Sequence, residues 1–286
     1  MESLAIIGGT GLYVPDMLED LEEVSVDTPF GRPSAPVLTG IHKGLKVGFI
    51  PRHGKGHRLL PSEIPFRANI WALKSLGFDW VISVSLVGSM KEEVGLGTPV
   101  IIDQFIDRTF KRENTFFGNG IVGHVSMADP VCPALRKALI DAADAAGVEV
   151  ISRGTYLCIE GPQFSTRAES LFYRQMGVDV IGMTNMPEAK LAREAGIHYA
   201  TIAIPTDYDC WHESEEDVTV EKVMEVASKG LAKAKRIILQ VLEHPEIVEE
   251  CDCSKWTQGA VITDPSIIPA EARKRLEGII TLPGEK

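Results

Sequence analysis

Short apolar runs that each stop at a glycine-bearing turn recur through this chain, separated by segments of helical periodicity. Leu4 to Ile7 runs into Gly8-Gly9-Thr10-Gly11, and Leu45 to Ile50 ends at Pro51-Arg52-His53-Gly54. Trp80 to Leu86 ends at Val87-Gly88-Ser89, and Ile197 to Ile204 runs into Thr206-Asp207-Tyr208-Asp209. Pro99 to Asp103 and a longer stretch from Val148 to Glu160 read as further strands. Helices are expected over 64–76, from Pro133 to Ala146 with Gly147 as the stop, and from the Thr166/Glu169 capping box to Met176. Pro187 suits the first position of another helix, to Ala195. The longest helix covers 219–243, with Val220, Val223, Ala227, Leu231 and Ile238 at helical spacing, and a weak one covers 270–277. Strands that alternate with helices and end in glycines define an α/β fold with its site at the strand ends. Neither a repeat nor a linker divides residues 1–244, and 245–286 form a C-terminal extension of mixed character.

Bulk properties narrow the function. A net charge of −11 supplies no basic field for nucleic acid or an anionic membrane, so an anionic ligand would need a local pocket. The N-terminus has no basic flank and no long apolar core, and no run reaches the ~18 apolar residues of a membrane span. A cytoplasmic location is expected. Cys132, Cys158, Cys210, Cys251 and Cys253 include no Cys-x-x-Cys pair, which argues against a structural zinc site. Only a strained bridge would close Cys251-Asp-Cys253, so unpaired thiols are expected.

The most informative stretch is Asp207-Tyr-Asp209 behind the buried run. Two carboxylates on the loop leaving one strand can face one ligand edge, and close carboxylates push each other's pKa apart. One can then be a neutral donor while the other accepts. An adenine ring asks for both, a proton at N7 as the base leaves and an acceptor for its amino group. A loop-end pair that caps a helix or sits in water is the competing reading.

Other motifs are excluded by spacing. Gly9-x-Gly11 would need a glycine where Val14 stands, so it is not a dinucleotide fingerprint. Gly48 to Gly54 encloses five residues, and Gly56 stands where a P-loop needs Ser or Thr. His53 and His57 are separated by helix-breaking glycines, so they make a poor metal pair. Arg52 and His53 at a strand end suit a phosphate, because guanidinium offers a forked donor pair. With Thr10, Ser85 and Thr184 they would line a metal-free oxyanion pocket. Phe164 could stack on a flat ring and Met183 lie against a sugar, although core packing explains either one taken singly.

Set side by side, these pieces resemble the trimeric purine nucleoside phosphorylase family, in particular its methylthioadenosine-cleaving members. The resemblance runs from Ile6-Ile-Gly-Gly-Thr-Gly-Leu12 to about residue 244. It takes in Thr28-Pro-Phe-Gly31, Arg52-His53-Gly54, Arg67-Ala-Asn-Ile-Trp-Ala-Leu73 and Ile102-Asp-Gln-Phe-Ile-Asp-Arg-Thr109. It continues through Ile159-Glu-Gly-Pro-Gln-Phe-Ser165, Arg167-Ala-Glu-Ser170, Met183-Thr184 and the Asp pair. The resemblance implies a single domain with a central mixed, partly barrel-like sheet flanked by helices. It implies phosphorolysis of S-methyl-5′-thioadenosine to adenine and 5-methylthioribose 1-phosphate, with phosphate as co-substrate and no cofactor or metal. Thr10, Arg52, His53, Ser85, Leu86 (through its amide) and Thr184 would hold phosphate. Met183 would contact ribose, Phe164 and Ser165 would border the base, and Asp207 and Asp209 would read N7 and the amino group. Val220 and Val223 would line the alkylthio pocket. His124 would reach the 5′ end of a neighbouring subunit's substrate, in a homotrimer or dimer of trimers. Ser85-Leu86-Val87 and Asn185 depart from the usual family residues, which keeps the first of two other readings open. These are a phosphorylase for 6-oxopurine nucleosides and a catalytically silent nucleoside-binding protein.

Overall fold

The computed structural model describes residues 1–9, 12, 18–212, 220–280 and 282, with the backbone alone for 220–223. Strand β1 (Ser3–Gly8) is buried along its whole length and sorts its side chains by alternation. Leu4 and Ile6 pack with helices α2 (Pro133–Ala145) and α5 (Val220–Glu243). Ala5 and Ile7 pack on the other face with α1 (Phe66–Ser75) and α4 (Asn185–Glu194). Strand β10 (His198–Asp207) divides the same way, with Tyr199 and Ala203 to the α1/α4 side and Ala200, Ile202 and Ile204 to the α2/α5 side. A strand covered on both faces reads as one apolar run, which explains why both were legible in sequence.

The remaining strands are β2 (Glu19–Val24), β3 (Val37–His42), β4 (Leu45–Pro51), β5 (Trp80–Ser89), β6 (Val100–Ile101), β7 (Gln104–Arg108), β8 (Thr155–Ile159) and β9 (Val180–Gly182). They join in the order β2-β3-β4-β1-β5-β9-β8-β7, and β10 pairs with β5 and β6. The mixed ten-stranded sheet branches at β5. Val81 to Ser83 pair with β1, Gly88 and Ser89 pair with antiparallel β9, and nearly the full strand pairs with β10. Strands β4, β1, β5 and β10 run parallel, so Pro51, Gly8, Ser89 and Asp207 end on one side of the sheet. This is where an open α/β sheet places its ligand.

Two expected strands are shorter than their apolar patterns. Of Val148 to Glu160 only Thr155–Ile159 forms a ladder, with Ile151 in an isolated bridge to Val100. The chain turns at Gly154, whose N–H donates to the Asp103 carboxylate at 2.9 Å. A Cβ there would lie 2.8 Å from a Val100 methyl, so only glycine fits the turn. The strand expected at Pro99–Asp103 contracts to Val100–Ile101. Strand β2 carries four acidic residues in six and lies mostly exposed, so it gave no hydrophobic signal.

The helices follow their signals closely. Helix α3 (Arg167–Gln175) opens on the expected box, with the Glu169 N–H on Thr166 Oγ1 at 3.2 Å and the Thr166 N–H on Glu169 Oε2 at 2.8 Å. In α4 Met186 is extended (φ −117°, ψ 131°), as a residue before proline prefers, and regular helix begins at Pro187. The chain beyond α5 folds back over the body. Val248 and Cys253 enter the α2/α5 cluster, and Ile268, Ile279, Ile280 and helix α6 (Ala270–Leu276) enter the α1/α4 cluster. No helix among the described residues is long and apolar enough to cross a membrane.

Candidate active site

A cavity of about 340 Å³ opens at the common strand-end side, against the last residues of β5 and β10. Asp207 is the final residue of β10, opposite Gly88 of β5, and Asp209 follows with φ +50°. Both line the cavity. Asp207 Oδ1 accepts the Asp209 N–H at 2.9 Å, and Oδ2 accepts the Thr206 hydroxyl at 2.9 Å. Asp209 is buried, and its Oδ2 has no hydrogen-bond partner among the described residues. Gly88 makes room for the pair: a Cβ there would stand 3.0 Å from Asp207 Oδ1.

The electrostatics differ from the expectation of two carboxylates driving each other's pKa apart. Burial raises both, and it raises Asp207 to about 6. Hydrogen bonds from Asp209 N–H and Thr206 work against that rise, and the Asp209 charge is the weakest influence on Asp207. Desolvation wins because the apolar strand ends remove water more completely than the neighbouring charge repels.

Arg52, His53, Ser85, Leu86 and Thr184, the residues expected to hold an anion, line the same cavity. Ser85 Oγ lies 3.0 Å from Thr184 Oγ1 and 3.2 Å from the Tyr156 hydroxyl. His53 Nδ1 bonds the Leu59 carbonyl at 2.9 Å, so Nδ1 carries the proton and Nε2 is the acceptor. Burial, outweighing that bond, pushes the His53 pKa down to about 4, and the ring is neutral at pH 7.

Arg52 does not present the free fork that the sequence suggested. It is buried, and Nε and Nη2 donate to Glu188 Oε2 and Oε1 at 2.7 and 3.0 Å. Nη2 also donates to Ser83 Oγ at 2.7 Å, and Nη1 donates to the Val84 carbonyl at 3.0 Å. At most a single Nη1 N–H remains for an anion. The fork is used against Glu188 because an unpaired buried guanidinium would cost several kcal/mol, on the order of 3–5.

Met183, Phe164 and Ser165 also line the cavity. His124 is exposed and lies outside this chain's own cavity, its N–H on the Ala260 carbonyl at 2.9 Å. Thr10 lies outside the described residues, and Val220 and Val223 are described by backbone alone at the start of α5. Asn185, one of the departures from the family pattern, is buried and donates to Ser83 and Tyr199 at 2.9 Å each. It belongs to the support beneath the cavity.

Several residues that build the site gave no separate signal. Glu188 Oε1 also accepts Ser83 at 2.8 Å and Tyr199 at 2.8 Å, which closes a buried network behind Arg52. Arg112 donates to Glu160 Oε1 at 2.9 Å, to the Met183 carbonyl at 2.7 Å and to the Glu160 carbonyl at 2.7 Å. It thereby joins the two loops that carry Met183 and Phe164. Arg58 is an exposed cation at the cavity edge. All five cysteines are free, as expected, but they are not all scattered in space. Away from the cavity the fold gathers Cys132, His198, Cys251 and Cys253, and these residues could hold a metal ion.

Strand-end placement, a carboxylate pair and an anion pocket in one cavity fit a nucleoside-cleaving phosphorylase. The chain belongs to the phosphorylase superfamily, whose family model matches residues 3–243. Its relatives within that superfamily include S-methyl-5′-thioadenosine phosphorylases. The Geobacter sulfurreducens one is 53% identical over 97% of both chains, and the Pyrococcus abyssi one is 50% identical over 88% of this chain and 96% of its own. A crystal structure of methylthioadenosine phosphorylase from an antarctic soil metagenomic library superposes with a TM-score of 0.91 at 47% identity, covering 97% of this chain and 98% of its own. The Schistosoma mansoni methylthioadenosine phosphorylase in complex with adenine superposes with a TM-score of 0.87 at 36% identity, covering 93% and 100%.

Proposed function

We infer that this enzyme cleaves S-methyl-5′-thioadenosine with inorganic phosphate, giving adenine and 5-methylthioribose 1-phosphate. The observation that carries the reading is the Asp207–Asp209 pair facing one cavity with the Ser85–Thr184 hydroxyls and Arg52. As the C1′–N9 bond stretches, its electron pair moves into the purine and positive charge grows on the ribosyl carbon. Phosphate at the Arg52 end stabilises that charge and supplies the oxygen that bonds C1′. Burial raises the Asp207 pKa to about 6, and the protonated fraction gives its proton to N7 and recovers one from solvent after adenine leaves. Asp209 Oδ2 accepts the 6-amino N–H. Neutral His53 accepts from a phosphate P–OH through Nε2. Residues of this chain complete the reaction scheme, with phosphate as co-substrate.

The family resemblance implies an apolar 5′ pocket that would draw on Val220 and Val223, whose side chains lie outside the described residues, and such a pocket would favour methylthio over hydroxyl by about 1–3 kcal/mol. Adenosine is therefore a slower substrate. The enzyme works in the cytoplasm, in purine and methionine salvage, as a homotrimer or a pair of trimers. The exposed position of His124, outside its own chain's cavity, supports a neighbour's use of it. Adenine release from methylthioadenosine with and without phosphate tests the reaction, and light scattering tests the assembly. Release only with phosphate is expected. Turnover of inosine or methylthioinosine alone would overturn the substrate, and no turnover of any nucleoside would overturn the chemistry.

A further inference from the structure

Cys132, His198, Cys251 and Cys253 converge from three parts of the chain, and their four donor atoms all lie within 4.8 Å of one another. Cys132 precedes α2, His198 opens β10, and the other two belong to the segment after α5. Cys132 Sγ lies 3.4 Å from Cys251 Sγ and 3.6 Å from His198 Nδ1. Cys251 Sγ lies 3.0 Å from His198 Nδ1 and 3.3 Å from Cys253 Sγ. A disulfide needs sulfurs about 2.0 Å apart, so all three thiols are unpaired. Zinc–sulfur bonds of about 2.3 Å set tetrahedral edges near 3.8 Å, and the separations of 3.0–3.6 Å, with every donor pair within 4.8 Å, lie close to that size.

We propose that this quartet is a structural zinc site of Cys3His type that fastens the C-terminal extension to the catalytic body. The donor set is the one zinc favours, and it is closed, with four protein ligands and no position for substrate. The surroundings are arranged for it. Cys132 Sγ accepts the Leu135 N–H at 3.3 Å at the start of α2, where a helix end favours thiolate. The indole of Trp80 stacks on His198 at 3.7 Å between centroids and 13° between planes, which fixes the imidazole. Three thiolates on a divalent ion leave a single negative charge. Arg193 supplies the balancing cation, lying on the Trp256 ring within electrostatic reach of Cys253 and Cys132. On binding, three thiols release their protons and His198 coordinates as the neutral ring through Nδ1.

The site also has a mechanical consequence. Eight residues past Cys253, Val261 bridges Gly123, Ile262 N–H donates to the Val122 carbonyl at 3.0 Å, and His124 N–H donates to Ala260. The extension that zinc would anchor therefore backs the short segment that presents His124.

The test is metal analysis of the full-length enzyme, purified without chelator or affinity-tag metal, together with mass spectrometry of its thiols. About one zinc per chain is expected, with three further alkylatable cysteines appearing only after the metal is removed by a chelator in denaturant. Cobalt(II) exchanged into the site is expected to show the intense visible bands of a tetrahedral thiolate centre. A Cys251→Ser/Cys253→Ser variant is expected to lose the metal and to become sensitive to protease after residue 244. The wild-type measurements stand even if that variant does not fold. Enzyme with zinc below about one-tenth of an equivalent, or with a disulfide among Cys132, Cys251 and Cys253, would overturn the proposal.

Discussion

Asp207 Oδ1 accepts the backbone N–H of Asp209 at 2.9 Å, so the second acidic residue fixes the first through its peptide and keeps its own carboxylate for the cavity. The two groups are thereby made unequal. Asp207 is held by two hydrogen bonds with its pKa raised by burial to about 6, while Asp209 Oδ2 is a buried acceptor without a partner among the described residues.

Replacing Asp207 by Asn keeps its shape and the bond from Asp209 N–H to Oδ1, turns the Thr206 contact into one in which the amide donates, and removes the transferable proton. We expect kcat for methylthioadenosine to fall by about 10²–10⁴-fold with little change in melting temperature. Steady-state kinetics beside calorimetry checks both.

The pH dependence follows from the same burial. Only protonated Asp207 donates to N7, so kcat/KM at saturating phosphate is expected to decline as pH rises through about 6. That limb should vanish in Asp207→Asn. His53 acts on stability instead: its folded pKa of about 4 lies below the ordinary 6.5. Its contribution is present above pH 6.5 and is lost as pH falls through 4. His53→Gln should flatten the acid side of a urea-midpoint profile.

Glu188→Ala strands the buried Arg52 guanidinium. A loss of about 3–5 kcal/mol is expected in denaturant unfolding, larger than most single substitutions produce. Glu188→Gln should recover part of it, because Gln can still accept one Arg52 N–H.

Thr184→Val removes a hydroxyl from the anion pocket while preserving side-chain volume. One hydrogen bond to a charged group is worth about 1.5–3 kcal/mol, so KM for phosphate should rise roughly 10–100-fold. KM for the nucleoside should change much less, and a two-substrate kinetic matrix separates them.

Gly88→Ala sets a methyl 3.0 Å from Asp207 Oδ1 and 3.0 Å from the Ile181 side chain. Strand β5 and the Ile181 contact give the methyl little space, so the carboxylate must move. A displacement approaching 1 Å costs about 10²-fold, and kcat/KM should fall toward that limit while KM for phosphate holds.

By itself the sequence determined the parts that depend on near neighbours. The apolar runs marked β1, β4, β5 and β10, the Thr166/Glu169 box opened α3, and the Asp pair stood at a strand end as expected. Ten of the residues that the sequence singled out, Arg52, Ser85, Met183 and Asp207 among them, line the cavity. Only the tertiary structure decided what stands opposite each group. Arg52 meets Glu188 across 136 positions, which changed a free fork into a buried ion pair. Cys132 meets Cys251 across 119, which changed scattered thiols into a candidate metal site. The depth of water exclusion around Asp207, which sets its protonation, comes from strand ends far apart in the chain. Periodicity and capping act over a few residues, whereas ion pairing, metal ligation and desolvation depend on distances that only the folded chain sets.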